Sequence, residues 1–215
     1  MNQSLRLAEL LAARLCHDLS GPINTLGGVL ELARDEPRMV IEALAEAGEA
    51  AVTLTRRLRL LRAAWGGLGD PLSTADLALL SDGLPGNRLR IDLDGLPPRL
   101  FEPAAARLVL NVLLLGAGCL PFGGVLALSA TAGLDVIATI DGPRAGWPQG
   151  FAALLADPDL AWQSVARIDP RDVQAAVTTL IAQECGLRVS FLMAARPQDA
   201  PPLLLSLAVL IPTAI

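Results

Sequence analysis

The chain has 215 residues, of which 53% are hydrophobic, so it is long enough to bury one large core or two small ones and is not a disordered protein. Its formal net charge is −5, its 17 cationic residues are all arginines that form no basic stripe, and aromatic residues make up only 3%. These features argue against a nucleic-acid partner, because such a partner calls for basic surfaces and stacking aromatic side chains.

The first predicted element is an amphipathic helix over residues 4–34. At about 100° per residue, six apolar side chains fall on one stripe: Leu11, Leu15, Leu19, Ile23, Leu26 and Leu30. His17, the only histidine, falls almost opposite this stripe and is predicted to face solvent. Arg14 lies one turn before it, and Gly21, Asn24 and Gly28 share its face. These small side chains leave a shallow surface on which a partner protein can dock close to the imidazole.

His17 is followed directly by the carboxylate of Asp18, and Pro22 lies five residues further on. A neutral imidazole is a nucleophile near physiological pH, and an adjacent carboxylate can orient it or take its Nδ1 proton. His17 and Asp18 are therefore candidate catalytic residues. Two alternatives stay open on position alone: His17 is one solvated surface residue among many, and Asp18 is a solvated helix acid.

A second helix is predicted from about Pro37 to Trp65. Its apolar positions alternate four and three residues apart: Val40, Leu44, Ala47, Ala51, Leu54, Leu58, Leu61 and Trp65. This heptad spacing is typical of antiparallel bundle packing. Because a hairpin of two long helices has little core of its own, we expect residues 1–66 to dimerise as a four-helix bundle across a two-fold axis.

The segment 66–71 reads as a glycine-rich hinge, and the pattern beyond it is mixed. The predicted helices are 74–82, 103–119, 147–156 and 170–185, and the predicted strands are 88–93, 125–131, 135–141, 187–194 and 203–211. Residues 72–215 are thus predicted to form a sandwich in which helices cover one face of a sheet. The fold class is α+β.

Apolar stretches such as Leu108–Leu120 and Leu203–Ile211 are too short to span a bilayer, and the N-terminus lacks the basic flank of a signal peptide. The three cysteines are unclustered: Cys16, Cys119 and Cys185. With a single histidine they offer no plausible zinc set, so free thiols, no bound metal and a cytoplasmic location are expected. Cys16 is interpreted as a packing residue.

The run His17-Asp18-Leu19-Ser20-Gly21-Pro22 resembles the phosphoacceptor box of dimeric sensor histidine kinases. The chain is more closely similar to the ChpT-type histidine phosphotransferases over essentially its whole length, on the basis of Arg14-Leu15-Cys16-His17-Asp18-Leu19 with Pro22, Leu30-Glu31-Leu32 and Leu120-Pro121-Phe122-Gly123-Gly124. The resemblance implies a homodimer whose histidine relays phosphoryl groups from the receiver domain of a hybrid kinase to response regulators that control the cell cycle. It also implies a C-terminal domain that is related to a kinase ATPase domain but does not bind nucleotide.

The resemblance makes His17 the phosphoacceptor and leaves Mg²⁺ to be supplied by the partner receiver domain. A kinase would need an asparagine-rich helix that holds Mg²⁺ for ATP. The equivalent helix here is the one predicted at 103–119, which keeps only Asn111 and has Leu115 or Gly116 where a second metal-binding asparagine is expected. Asn111 is therefore predicted to make a local hydrogen bond, and neither ATP nor another cofactor is expected to bind.

Two further residues near His17 bear on its chemistry. Gly21 stands where kinases that also act as phosphatases usually carry Thr, Asn or Ser, so transfer without phosphatase activity is expected. Arg14 is predicted to belong to the docking surface with Gly21, Asn24 and Gly28 and is a candidate for steadying the phosphoryl oxygens, with a plain surface arginine as the alternative.

Two other functions remain open. One is an ATP-dependent sensor-type histidine kinase, and the other is a non-catalytic adaptor that sequesters a receiver domain through the hairpin. The donor kinase and the accepting regulator cannot be named from the sequence, because docking specificity is spread over a surface.

Overall fold

A computed structural model describes residues 2–86 and 88–208. The chain begins with a helical hairpin: α1 spans Gln3–Asp35, a 3₁₀ turn spans Pro37–Met39, and α2 spans Val40–Trp65. Asn2 begins α1 by accepting a hydrogen bond from the backbone N–H of Ser4. Both helices match the sequence-based prediction to within a few residues.

The rest of the described chain is the predicted mixed domain. Its helices are α3 (Thr74–Ser81), α4 (Pro103–Gly118), α5 (Phe151–Ala156), α6 (Pro158–Val165) and α7 (Val173–Glu184). Its strands are β1 (Leu72–Ser73), β2 (Leu89–Gly95), β3 (Leu100–Phe101), β4 (Gly124–Ala130), β5 (Val136–Asp141), β6 (Arg188–Phe191) and β7 (Leu203–Ser206). The prediction of an α+β fold with a helical N-terminal part is confirmed.

Five strands form one sheet in the order β2-β4-β5-β7-β6, in which only β2 and β4 pair in parallel. Burial alternates along β4 and β5, where Leu126, Leu128 and Val136 are fully buried. Helix α4 lies against this buried face, and Gly116 permits the close approach, since a Cβ there would come within 2.8 Å of the Leu126 side chain. The sheet is therefore covered by helices on one face, as predicted.

The hydrophobic core is continuous between the hairpin and the α/β domain. Leu10, Leu60 and Ala64 of the hairpin belong to the same buried cluster as the leucines of α4 and the apolar residues of α7. A second, smaller cluster of Val29, Ala43 and Ala47 lies further along the hairpin. One end of the hairpin is thus held by the α/β domain, and the rest is held by helix–helix packing alone.

Several local predictions were wrong. The helix predicted from Trp147 begins only at Phe151, because the Trp147 indole donates to the carbonyl of Pro201 and Gly150 has a positive φ of 81°. Helix α6 was overlooked, although Asp157 and the proline after it are a strong helix start; the Asp157 carboxylate accepts from the N–H two residues on.

Three more expectations can be compared with the described residues. The last strand ends at Ser206, and the part of the prediction from residue 209 lies outside the described residues. Cys16 is exposed on α1, so its assignment as a packing residue was wrong, while all three cysteines are free thiols. Over residues 2–86 and 88–208, every helix falls short of the length and hydrophobicity that a bilayer crossing requires.

Candidate functional site

His17 lies on the outer surface of α1, and its side chain is 58% exposed. The predicted exposure is thus confirmed. Its Nδ1 atom is 3.3 Å from Oδ1 of Asp18. Because a carboxylate can only accept a hydrogen bond, this contact selects the imidazole tautomer with the proton on Nδ1. The Nε2 lone pair is then free for chemistry with a partner.

Asp18 is not a solvated helix acid, since its side chain is only 6% exposed. Arg14, one turn earlier on α1, places its Nε atom 3.0 Å from Oδ1 and 3.1 Å from Oδ2 of this carboxylate. Arg57 of α2 donates from Nη2 to Oδ2 at 3.0 Å. The carboxylate beside His17 is therefore held by two guanidinium groups.

Arg57 is a site residue that the sequence-based prediction did not include. It lies among four arginines in residues 56–62, and its side chain is 7% exposed. Burial lowers the pKa of Arg57, and the charge of Asp18 opposes that effect. A signal was present: Arg57 continues the four-and-three spacing of the buried residues Ala43, Ala47, Ala50 and Leu61. A charged residue on a buried stripe needs a buried partner.

A cavity of about 380 Å³ lies beside the imidazole, between α1 and the segment that precedes α7. Its lining residues are Ala13, Arg14, His17, Asp169, Pro170 and Arg171. Arg14 joins its two walls by donating from Nη1 to the carbonyl of Arg171 at 2.9 Å. Residues 169–171 could not be placed near His17 from the sequence, because they lie more than 150 positions later in the chain.

Of the four predicted docking residues, Gly21, Asn24 and Gly28 are exposed on α1, and Arg14 is half-buried. At about 100° per residue the three exposed residues fall within about 40° of His17 around the helix. A Cβ added at Gly21 or Gly28 would meet no atom within 4 Å. The surface that continues from the imidazole along α1 is therefore low and free of covering side chains.

Asn111 is fully buried, and both its amide nitrogen and its amide oxygen are hydrogen-bonded within the protein. Its Nδ2 donates to the carbonyls of Arg107 and Ala64, at 2.8 and 2.9 Å, and its Oδ1 accepts from Gln174 at 2.9 Å. The predicted local hydrogen bond is the one to Arg107, and the other two join α4 to the hairpin and to α7. The described part of the chain also contains no group of three or more His, Cys, Asp and Glu side chains placed to share a metal ion.

Comparisons with known proteins agree with this layout. The family model described as "Histidine phosphotransferase C-terminal domain" matches residues 74–197. The chain is 29% identical over 198 residues to "Protein phosphotransferase ChpT" of Brucella abortus, an alignment that covers 87% of this chain and 90% of the relative.

Two solved structures are also similar. One, described as the 1.7 Å structure of a bacterial phosphotransferase, has a TM-score of 0.72 and 27% identity, and the match covers 94% of this chain and 95% of that one. The other is a histidine kinase domain from Erythrobacter litoralis, with a TM-score of 0.43 and 12% identity over 88% of this chain and 96% of that one. The second likeness is too weak to bear on the chemistry.

Proposed function

The chain belongs to the ChpT-type histidine phosphotransferase family, and we propose that it carries phosphoryl groups on His17 between the receiver domains of a phosphorelay. The donor is the receiver domain of a hybrid histidine kinase, and the acceptors are response regulators. The observation that carries this proposal is the exposed imidazole of His17, whose Nδ1 atom lies next to the buried carboxylate of Asp18. Two arginine side chains donate hydrogen bonds to that carboxylate.

In the forward step, Nε2 of His17 attacks the phosphorus of a receiver aspartyl phosphate in line with the leaving oxygen. A P–N bond forms, the P–O bond to the receiver breaks, and the receiver carboxylate is released. The Nδ1 proton stays on the ring, and the positive charge that develops there faces the carboxylate of Asp18. Return of the phosphoryl group to a second receiver reverses these bond changes, with Mg²⁺ supplied by the receiver.

The docking surface for the receiver comprises Gly21, Asn24 and Gly28, next to the imidazole on α1. Residues 169–171 of the α/β domain lie on the other side of His17, so a receiver seated over the imidazole contacts both parts of the chain. This position supports the α/β domain as a second contact for the response regulator. Arg14 is already engaged by Asp18 and by the carbonyl of Arg171, which favours a positioning role over direct contact with phosphate.

The active form is a homodimer formed by two hairpins. Helix α2 also carries exposed apolar residues beside its buried stripe: Ile41, Leu44 and Leu58 are 81%, 56% and 44% exposed, and Leu44 and Leu58 are two heptads apart. On α1, Ile23 and Leu30 are about half-exposed and one heptad apart. A monomer would leave these side chains in water, whereas a second copy would bury them in a four-helix bundle.

This apolar surface leaves His17 accessible. Ile23 and Leu30 lie about 120–140° from His17 around α1, on the basis of about 100° per residue. The heptad stripe predicted for α2 thus has a buried edge and an exposed edge. Ala47 and Leu61 are buried within one chain, while Leu44 and Leu58 are left for the partner.

The occupied amide of Asn111 argues against the alternative of an ATP-dependent kinase. Mg²⁺ binds an amide through its oxygen, so binding at Asn111 would displace the hydrogen bond that the buried Oδ1 accepts from Gln174 of α7. We expect no ATP binding, and titration of the protein with Mg·ATP by calorimetry tests this. Binding at micromolar nucleotide would overturn that part of the proposal.

The deciding experiment mixes the full-length protein with a ³²P-labelled receiver domain. Transfer should give a label that is labile in acid and stable in base, as expected for phosphohistidine, and His17→Ala should abolish it. Ser20→Ala is the matched control, because Ser20 is an exposed neighbour whose hydroxyl donates to its own helix. A non-catalytic adaptor would instead bind the receiver and signal equally well with His17→Ala.

The same mixture tests for phosphatase activity. Gly21 offers no side chain to orient a water molecule, so His17→Ala protein should leave the lifetime of the receiver aspartyl phosphate unchanged. Rapid hydrolysis in its presence would contradict this expectation.

A further inference from the structure

The two arginines that hold Asp18 have one feature in common. Each also donates to a backbone carbonyl of the α/β domain: Arg57 to Gly83 and Arg14 to Arg171, both at 2.9 Å. Gly83 follows α3, and Arg171 precedes α7. The carboxylate beside His17 is thus connected to the α/β domain at two separate places.

These connections depend on the fold of the α/β domain. Gly83 approaches α2 so closely that a Cβ there would lie 2.4 Å from the carbonyl oxygen of Arg56. Only glycine permits this approach, which brings the Gly83 carbonyl to the buried Arg57. The second carbonyl is presented by the segment that lines the cavity beside His17.

We infer that Arg57 and Arg14 are positioning residues for His17, and that the α/β domain sets the tautomer of the phosphoacceptor through them and Asp18. This inference rests on the proposed function and adds to it a role for the α/β domain that requires no nucleotide. Two cations beside one buried carboxylate compensate its charge and fix its orientation. Asp18 then acts as a constant acceptor for the Nδ1 proton rather than as a base that removes it.

The hydrogen bond to Asp18 decides which ring nitrogen of His17 can react. With the proton held on Nδ1, the nucleophilic lone pair is on Nε2, the nitrogen that does not face Asp18. If Asp18 could turn away, either nitrogen could carry the proton and only part of the protein would be ready to react. The arginine pair therefore raises the reactive fraction of His17 without touching the phosphoryl group.

The test uses full-length protein labelled with ¹⁵N-histidine, in which the only histidine gives the signals of one residue. Wild-type protein should show mainly the Nδ1–H tautomer. Arg57→Met removes the charge and keeps most of the volume, and it should shift the population toward Nε2–H. It should also slow single-turnover transfer in proportion to the measured loss of the Nδ1–H tautomer, while receiver affinity stays within about twofold.

Arg57→Lys should restore most of the tautomer bias and the rate, because a cation is again next to Asp18. Arg56→Met is the matched control, since Arg56 is the exposed neighbour on α2 and should change neither quantity. Should the Arg57→Met protein fail to fold, Arg14→Met makes the same test at the more exposed partner of Asp18.

An unchanged tautomer together with an unchanged transfer rate in both the Arg57→Met and the Arg14→Met protein would overturn the inference, even with His17 as the phosphoacceptor. Because the tautomer is measured without a receiver, failure of the proposed function leaves this result interpretable.

Discussion

Leu44→Ala tests the proposed dimer at its central apolar stripe. Leu44 is 56% exposed in the single chain, and complete burial of a leucine side chain contributes about 1.5–3 kcal/mol. Burying the exposed half contributes about 1–1.5 kcal/mol per chain, and two-fold symmetry doubles this to about 2–3 kcal/mol per dimer. The dimer dissociation constant should therefore rise about 30- to 150-fold.

Sedimentation equilibrium over a range of protein concentrations measures this constant. Leu79→Ala is the matched control, because Leu79 is a 70% exposed leucine on α3, outside the hairpin, and should leave the constant unchanged. Circular dichroism verifies that both variants keep their helices. A wild-type protein that stays monomeric at high micromolar concentration, or equal effects of the two variants, would refute the reasoning.

Three further predictions concern stability and reactivity. Asn111→Ala leaves the buried carbonyl of Ala64 without its side-chain donor and removes one acceptor of the Gln174 amide, so urea denaturation should show a loss of about 1–3 kcal/mol in the free energy of unfolding. An unchanged midpoint would mean that this network contributes little. Cys119 is buried and its pKa is raised to about 12, whereas Cys16 is exposed. A thiol reagent at about pH 8 should therefore modify Cys16 and spare Cys119, as read by peptide mass spectrometry. Gly21→Ala should raise the free energy of unfolding by about 0.5–1 kcal/mol, since a Cβ there meets nothing in the helix. It should slow transfer from a receiver, because the methyl group lies on the docking surface; equal rates would remove Gly21 from that surface.

Much of the hairpin was predictable because helix geometry is local. The spacing of the leucines fixed which face of α1 is apolar, and the exposure of His17 followed from its angle to that face. The same reasoning placed Gly21, Asn24 and Gly28 beside the imidazole. The same reasoning failed for Cys16. This residue lies beside the apolar stripe of α1, but that edge of the stripe is exposed in a two-helix hairpin.

The surroundings of Asp18 were not predictable in the same way. Whether Asp18 is solvated or buried depends on Arg57, which lies 39 residues later in the chain. The position of Arg14 depends on its hydrogen bond to the carbonyl of Arg171, 157 residues later. Asn111 shows the same limit, since its local bond could be inferred while its partners on α2 and α7 could not.

The sequence by itself determined the helical hairpin, the mixed domain and the outward-facing histidine, because these depend on the periodicity of neighbouring residues. Only the tertiary structure decided that the acid next to His17 is buried between two arginines and linked to the α/β domain. The reason is physical: a hydrogen bond between distant residues forms only where packing brings their backbones together, and here the shared core of the hairpin and the α/β domain does so.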